Sequence, residues 1–151
     1  MDDERGQKTV TDWAGFYKNQ GTARKLSALL GIRSILRSLV RNARSRLKII
    51  IELGGANTPF YEPLRKRYPE AEIITLDREA NTDTKYLQKT SGDIHLQRIT
   101  IDILQDSLPE HLIGCSDCVL STGLIEHFSP ENKAKMIRRH LEWCRPGALC
   151  L

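Results

Sequence analysis

Lys48-Ile49-Ile50-Ile51-Glu52-Leu53-Gly54-Gly55-Ala56-Asn57-Thr58-Pro59-Phe60 carries a nearly continuous apolar run into a turn of small residues. A β-branched run without polar alternation, closed by two glycines, predicts a strand buried on both faces of a parallel sheet. Downstream, residues 59–68 read as a helix and residues 72–76 as a second strand ending at Asp77, which makes a βαβ unit. Residues 95–101 read as a third strand ending at Asp102, and residues 117–121 as a fourth. Residues 130–143 read as a helix with Ile137 and Leu141 turned inward. Pro146-Gly147 then turns the chain into Ala148-Leu149-Cys150-Leu151, the opening of a fifth strand. Strands alternating with helices predict an α/β fold, a three-layer α/β/α sandwich on a mostly parallel sheet, with its ligand at the carboxyl ends of the strands.

Upstream of Lys48 the chain changes character. Arg24, Lys25, Arg33, Arg37, Arg41, Arg44, Arg46 and Lys48 occur with no acidic residue among them, and account for much of the formal net charge of +4. Leu26, Leu29, Leu30, Ile32, Ile35, Leu36, Leu39 and Val40 recur at helical spacing, as two helices meeting near Gly31. Residues 1–47 are thus expected to form an N-terminal helical extension and residues 48–151 the sheet domain. The basic stretch reads either as a solvated helix face or as a surface for an anionic substrate, a lipid surface or RNA.

At 151 residues, 40% hydrophobic and 28% charged, the chain suits one compact domain, which buries roughly 68–70% of its unfolded surface. It has no apolar run of about 18 residues, so no transmembrane segment is expected. Its acidic, polar start, MDDERGQKTV, is unlike a secretory signal, and a cytoplasmic setting is expected. Cys115, Cys118, Cys144 and Cys150 cluster in the last quarter, three of them in apolar runs, which argues against a disulfide framework. The Cys115-x-x-Cys118 pair lacks a second pair at ligand spacing, so no metal is expected.

Small residues after the first strand let a bulky ligand sit against the main chain, and the helix N-terminus that follows offers free N–H groups. A nicotinamide dinucleotide fold uses G-x-G-x-x-G here, whereas Ala56 and Pro59 stand at the second and third glycine positions, which disfavours a dehydrogenase. Asp77 follows Glu52 by one βα unit, where two carboxylate oxygens match a ribose diol. That supports a nucleoside cofactor without choosing the enzyme class.

The first stretch resembles motif I of the class I S-adenosylmethionine-dependent methyltransferases, whose pattern is acidic-x-Gly-x-Gly-x-Gly. Glu52 and Gly54 match, while Ala56 and Thr58 replace the later glycines. The resemblance continues in family order. It implies that Gly54, Gly55, Ala56 and Asn57 lie against the cofactor, that Asp77, next to Arg78, accepts the ribose hydroxyls, and that Asp102 accepts from the adenine amino group with Ile103 flanking the ring. Residues 116–128 resemble motif IV and the loop after it in small-molecule methyltransferases, with Ser121, Thr122 and Gly123 at the cofactor and Glu126-His127-Phe128 as the ending. Enzymes that methylate DNA bases carry Asn/Asp-Pro-Pro-Tyr/Phe at this place, and Ser121-Thr122-Gly123-Leu124 is unlike it, so a nucleic-acid substrate is disfavoured.

The implied function is methyl transfer from S-adenosylmethionine to a small-molecule or cell-surface-metabolite acceptor, by in-line displacement that needs chiefly positioning. The resemblance implies two readings of His127: the base for a hydroxyl nucleophile, or packing beneath the cofactor loop. Asp12, Trp13, Phe16 and Tyr17 read either as a lid over the cofactor or as simple packing. The implied strand order is 3-2-1-4-5-7-6, with strands 6 and 7 absent from this chain and strand 5 left as an exposed edge. Two alternatives remain: a non-catalytic nucleoside-binding module, and a nucleic-acid-binding protein using residues 24–48.

Overall fold

The computed structural model describes residues 30–31, 33–39, 41, 47–55, 60–78, 88 and 90–151. Five strands, β1 (Ile49–Leu53), β2 (Glu72–Asp77), β3 (Leu96–Thr100), β4 (Ser116–Ser121) and β5 (Cys144–Cys150), form one sheet. Their order is β3-β2-β1-β4-β5 and every pairing is parallel, as the alternating pattern predicts.

Helix α1 (Tyr61–Arg67) joins β1 to β2, and α2 (Pro130–Trp143) joins β4 to β5. The sheet grows toward β3 from β1 but toward β5 from β4, so right-handed crossovers put the two helices on opposite faces. Burial follows that division. Ile50, Ile73, Cys118 and Leu120 pack with Phe60, Leu64 and Tyr68 on the α1 side. Ile51, Leu53, Ile74, Leu76 and Val119 pack with Met136 and Trp143 on the α2 side. Successive strand residues point to opposite faces, so Ile50 and Ile51 serve different cores and no polar alternation is tolerated between them.

Residues 33–39 are helical and deliver Leu39 into the α1-side core, while Arg33, Arg37 and Arg41 are exposed. Gly31 is itself helical, and the stretch on either side of it where two helices are expected to meet lies partly outside the described residues. Arg24, Lys25, Arg44 and Arg46 of the basic stretch, and Asp12, Trp13, Phe16 and Tyr17 of the expected lid, lie outside the described residues.

Two expectations are corrected. In α2, capped by the Ser129 side chain with Pro130 following, the buried residues are Met136, His140 and Trp143, whereas Ile137 and Leu141 are 50% and 56% exposed. Positions 136, 140 and 143 share one helical face, and the next residue along is rotated by about 100°. A polar residue, His140, holds the middle of the inward stripe because it finds hydrogen-bond partners there. In β5, the strand begins at Cys144, directly after α2, and Pro146-Gly147 lies within it as an irregularity. The ladder passes from Ser116↔Cys144 to Cys118↔Leu149, so the extra residues bulge outward, with Gly147 at φ 82°.

The amino ends of the strands are closed by charge. Asp117 Oδ2 accepts from the backbone N–H of Lys48 at 2.6 Å and of Ile49 at 2.9 Å, and Oδ1 accepts from Arg145 Nε at 2.6 Å. Arg65 of α1 donates to Asp93 Oδ2 at 2.9 Å and to the carbonyls of Pro69, Ala71 and His95 at 3.0, 2.8 and 3.0 Å. One arginine thereby ties the helix to the starts of β2 and β3.

Candidate functional site

Strand register gathers the sequence-predicted residues on one edge of the sheet. Leu53 lies between Leu76 of β2 and Ser121 of β4, and Asp77 lies opposite Thr100 of β3. The segments that follow, Gly54-Gly55, Asp77-Arg78, Asp102-Ile103 and Ser121-Thr122-Gly123, therefore leave the sheet side by side. The chain leaves β1 toward α1 and β4 toward α2, on opposite faces of the sheet, and in doubly wound sheets such a switch point is where ligands bind.

Gly54 leaves β1 at φ 73°, with its N–H donating to the Leu76 carbonyl at 2.8 Å. A Cβ on Gly54 would come within 3.1 Å of Leu124 Cδ1, so the turn after β1 is packed against the loop after β4. Gly55 is equally constrained: a Cβ there would come within 3.1 Å of the Glu52 side chain and 3.2 Å of Thr75 Cβ. Glu52, 2% exposed, folds under the turn. Gly54→Ala is expected to cost about 1–2 kcal/mol through the left-handed backbone, plus a push on Leu124. Urea denaturation measures it, and an unchanged midpoint would mean the turn relaxes without cost. Ala56 and Asn57 lie outside the described residues.

Asp77 is half-buried at the end of β2 and Arg78 is exposed beside it. Asp102 is half-buried, and its Oδ1 accepts from the backbone N–H of Leu104 at 3.0 Å and Gln105 at 3.3 Å, closing a turn in the manner of a short polar cap. Its Oδ2 takes no hydrogen bond among the described residues. Ile103 is 7% exposed and joins the α2-side core. Thr122 and Gly123 are exposed, with Gly123 at φ 67°. His127 is exposed at the end of the short 3-10 turn Ile125–His127.

No family model and no curated protein sequence matches the chain. Solved structures do. The apo S-adenosylmethionine-dependent methyltransferase SibL is 21% identical over 95% of this chain and 43% of its own, with a TM-score of 0.58. The N-methyltransferase NodS from Bradyrhizobium japonicum, in complex with S-adenosyl-L-homocysteine, is 17% identical over 89% of this chain and 63% of its own, with a TM-score of 0.60. An O-methyltransferase family protein from Burkholderia thailandensis is 14% identical over 78% of this chain and 37% of its own, with a TM-score of 0.59. This is the Rossmann-like methyltransferase fold. The chain spans less than two thirds of the length of each of these proteins.

Within this methyltransferase fold, one contact at the strand ends escapes sequence reading. His140, 2% exposed on α2, lies with Nε2 at 2.9 Å from Ser121 Oγ and Nδ1 at 2.8 Å from the Met136 carbonyl. The available signal was spacing, since His140 falls four residues after Met136 and three before Trp143 on one helical face. The thiols lie elsewhere in the fold and are free, and burial pushes Cys118 up to about 12, which leaves it inert. Among the described residues no three His, Cys, Asp or Glu side chains are grouped to hold a metal, and no helix is long and apolar enough to cross a membrane.

Proposed function

We propose that this chain is the cofactor-binding part of an S-adenosylmethionine-dependent methyltransferase acting on a small-molecule or cell-surface-metabolite acceptor. The observation that carries it is the convergence of Gly54, Asp77, Asp102 and Ser121 at adjacent strand ends on this fold. The residues fit the cofactor chemically. Gly54 gives a turn without a Cβ, Asp77 offers a carboxylate acceptor to a ribose diol, and the Oδ2 of Asp102, which takes no hydrogen bond among the described residues, suits an amino donor.

In this reading Glu52, Gly54, Gly55, Ala56 and Asn57 shape the turn against which the amino-acid end lies. Asp77 and Arg78 take the ribose, and Asp102 and Ile103 the adenine. Ser121, Thr122 and Gly123 close the site from β4. When bound, the cofactor supplies a methyl group activated on a sulfonium. The chain's contribution is to hold acceptor and methyl in line at about 3–3.5 Å. His127, exposed on the loop after β4, is proposed as the base where the nucleophile is a hydroxyl. Residues 1–47 are proposed as the extension that covers the site.

Calorimetric titration of S-adenosylhomocysteine into the purified chain, with NAD as the control, tests this. Saturable binding of the first and none of the second is expected. A folded chain that binds NAD and ignores S-adenosylhomocysteine would be a dinucleotide-binding protein instead.

A further inference from the structure

The Ser121–His140 contact has one self-consistent proton arrangement. A carbonyl oxygen only accepts, so His140 Nδ1 carries the proton that is donated to Met136 at 2.8 Å. In a neutral imidazole Nε2 is then the acceptor, and the Ser121 hydroxyl donates to it across 2.9 Å. Burial holds the imidazole below the ordinary histidine pKa, against the opposing effect of the Met136 bond, which keeps the neutral form in place near pH 7. A free hydroxyl rotates and serves donors and acceptors alike. Ser121, half-buried at the end of β4 beside Leu53, has its single proton committed, and only lone pairs remain for a ligand.

We propose that His140 is a positioning residue that makes Ser121 Oγ an acceptor-only group, selective for a hydrogen-bond donor on the bound molecule. The inference rests on the proposed function, and elimination names the donor. S-adenosylmethionine carries three kinds of donor: the adenine amino group, the ribose hydroxyls and the α-ammonium. Asp102 after β3 and Asp77 at the end of β2 are assigned the first two. Ser121 lies two strands from Asp77, about 10 Å away across the sheet, which leaves it the α-ammonium at the other end of the cofactor.

The experiment titrates S-adenosylhomocysteine, and an analogue lacking the α-amino group, into the parent chain and the variants Ser121→Ala, Ser121→Thr, His140→Leu and His140→Gln. Ser121→Ala and His140→Leu are each expected to weaken S-adenosylhomocysteine by about tenfold, the double variant no more than either alone. Ser121→Thr and His140→Gln, which keep a hydroxyl and an acceptor, are expected to restore most of it. The deaminated analogue should bind parent and variants alike. Equal losses for both ligands, or variants whose thermal midpoint falls while affinity holds, would overturn the proposal. Nitrogen NMR of the ligand-free parent provides a readout independent of variant folding: the Nδ1–H tautomer of His140 is expected, and Nε2–H would overturn it. Failure of the folded parent to bind S-adenosylhomocysteine sinks the proposed function itself. Parent binding that the variants leave untouched sinks only this inference.

Discussion

Asp77→Ala is expected to weaken S-adenosylhomocysteine binding by about 100-fold while leaving the fold intact. Asp77 ends β2 half-buried, and its carboxylate is the group proposed to take the ribose diol. Two hydrogen bonds to a charged acceptor, at roughly 1.5–3 kcal/mol each, support a loss of about 3 kcal/mol, which is about two decades in Kd. The backbone of this position is held independently of its side chain, since the Asp77 carbonyl accepts from Ile101 N–H at 2.9 Å and the residue pairs with Thr100. Asp77→Asn keeps one acceptor oxygen and should fall between parent and alanine. Calorimetry with a parallel thermal melt separates binding from folding. Unchanged affinity in a folded Asp77→Ala chain would place ribose recognition elsewhere.

The largest stability effect is expected at the opposite end of the sheet. Asp117→Ala removes the acceptor for two backbone N–H groups at the start of β1 and leaves Arg145 without its carboxylate. The side chain is 7% exposed, so water does not replace these bonds freely, and about 3 kcal/mol is expected, or a thermal midpoint about 6–12 °C lower. Burial by itself would raise the Asp117 pKa, but the Ile49 and Lys48 amides and the Arg145 guanidinium outweigh it and hold it below the ordinary value. Asp93 is held down in the same sense, burial being outweighed by Tyr61, the His95 amide and Arg65.

A lowered carboxylate pKa means the unfolded chain binds more protons between the two values. The stability from Asp117 and Asp93 is therefore fully present above 3.8 and lost as pH falls through their folded pKa values. His140 acts earlier. Its folded pKa is lowered from 6.5, so the unfolded chain takes up the proton first and stability declines as pH drops below that value. Denaturation midpoints against pH should thus fall in two stages. Asp117→Asn should blunt the lower stage, and His140→Leu should remove the upper one. A single-stage profile in the parent would contradict this assignment.

Ile49 to Leu53, Glu72 to Asp77 and the order of strands and helices were legible in the sequence, because apolar runs and chain punctuation are local signals that parallel sheets exaggerate. Asp77 and Asp102 were legible as candidates for a related reason: a carboxylate that ends a strand or follows it closely emerges at the carboxyl edge. Register then sets such residues side by side. What only the tertiary structure decided depends on partners distant in the chain. The inward stripe of α2 passes through His140 and leaves Ile137 and Leu141 exposed, because Ser121, nineteen positions away, and the Met136 carbonyl satisfy the imidazole. The β5 bulge at Pro146-Gly147 occurs because a strand can absorb extra residues while Arg145 reaches Asp117. Apolar periodicity thus fixes elements and their order by itself, while burial of a polar side chain depends on a hydrogen-bond partner that no local pattern contains.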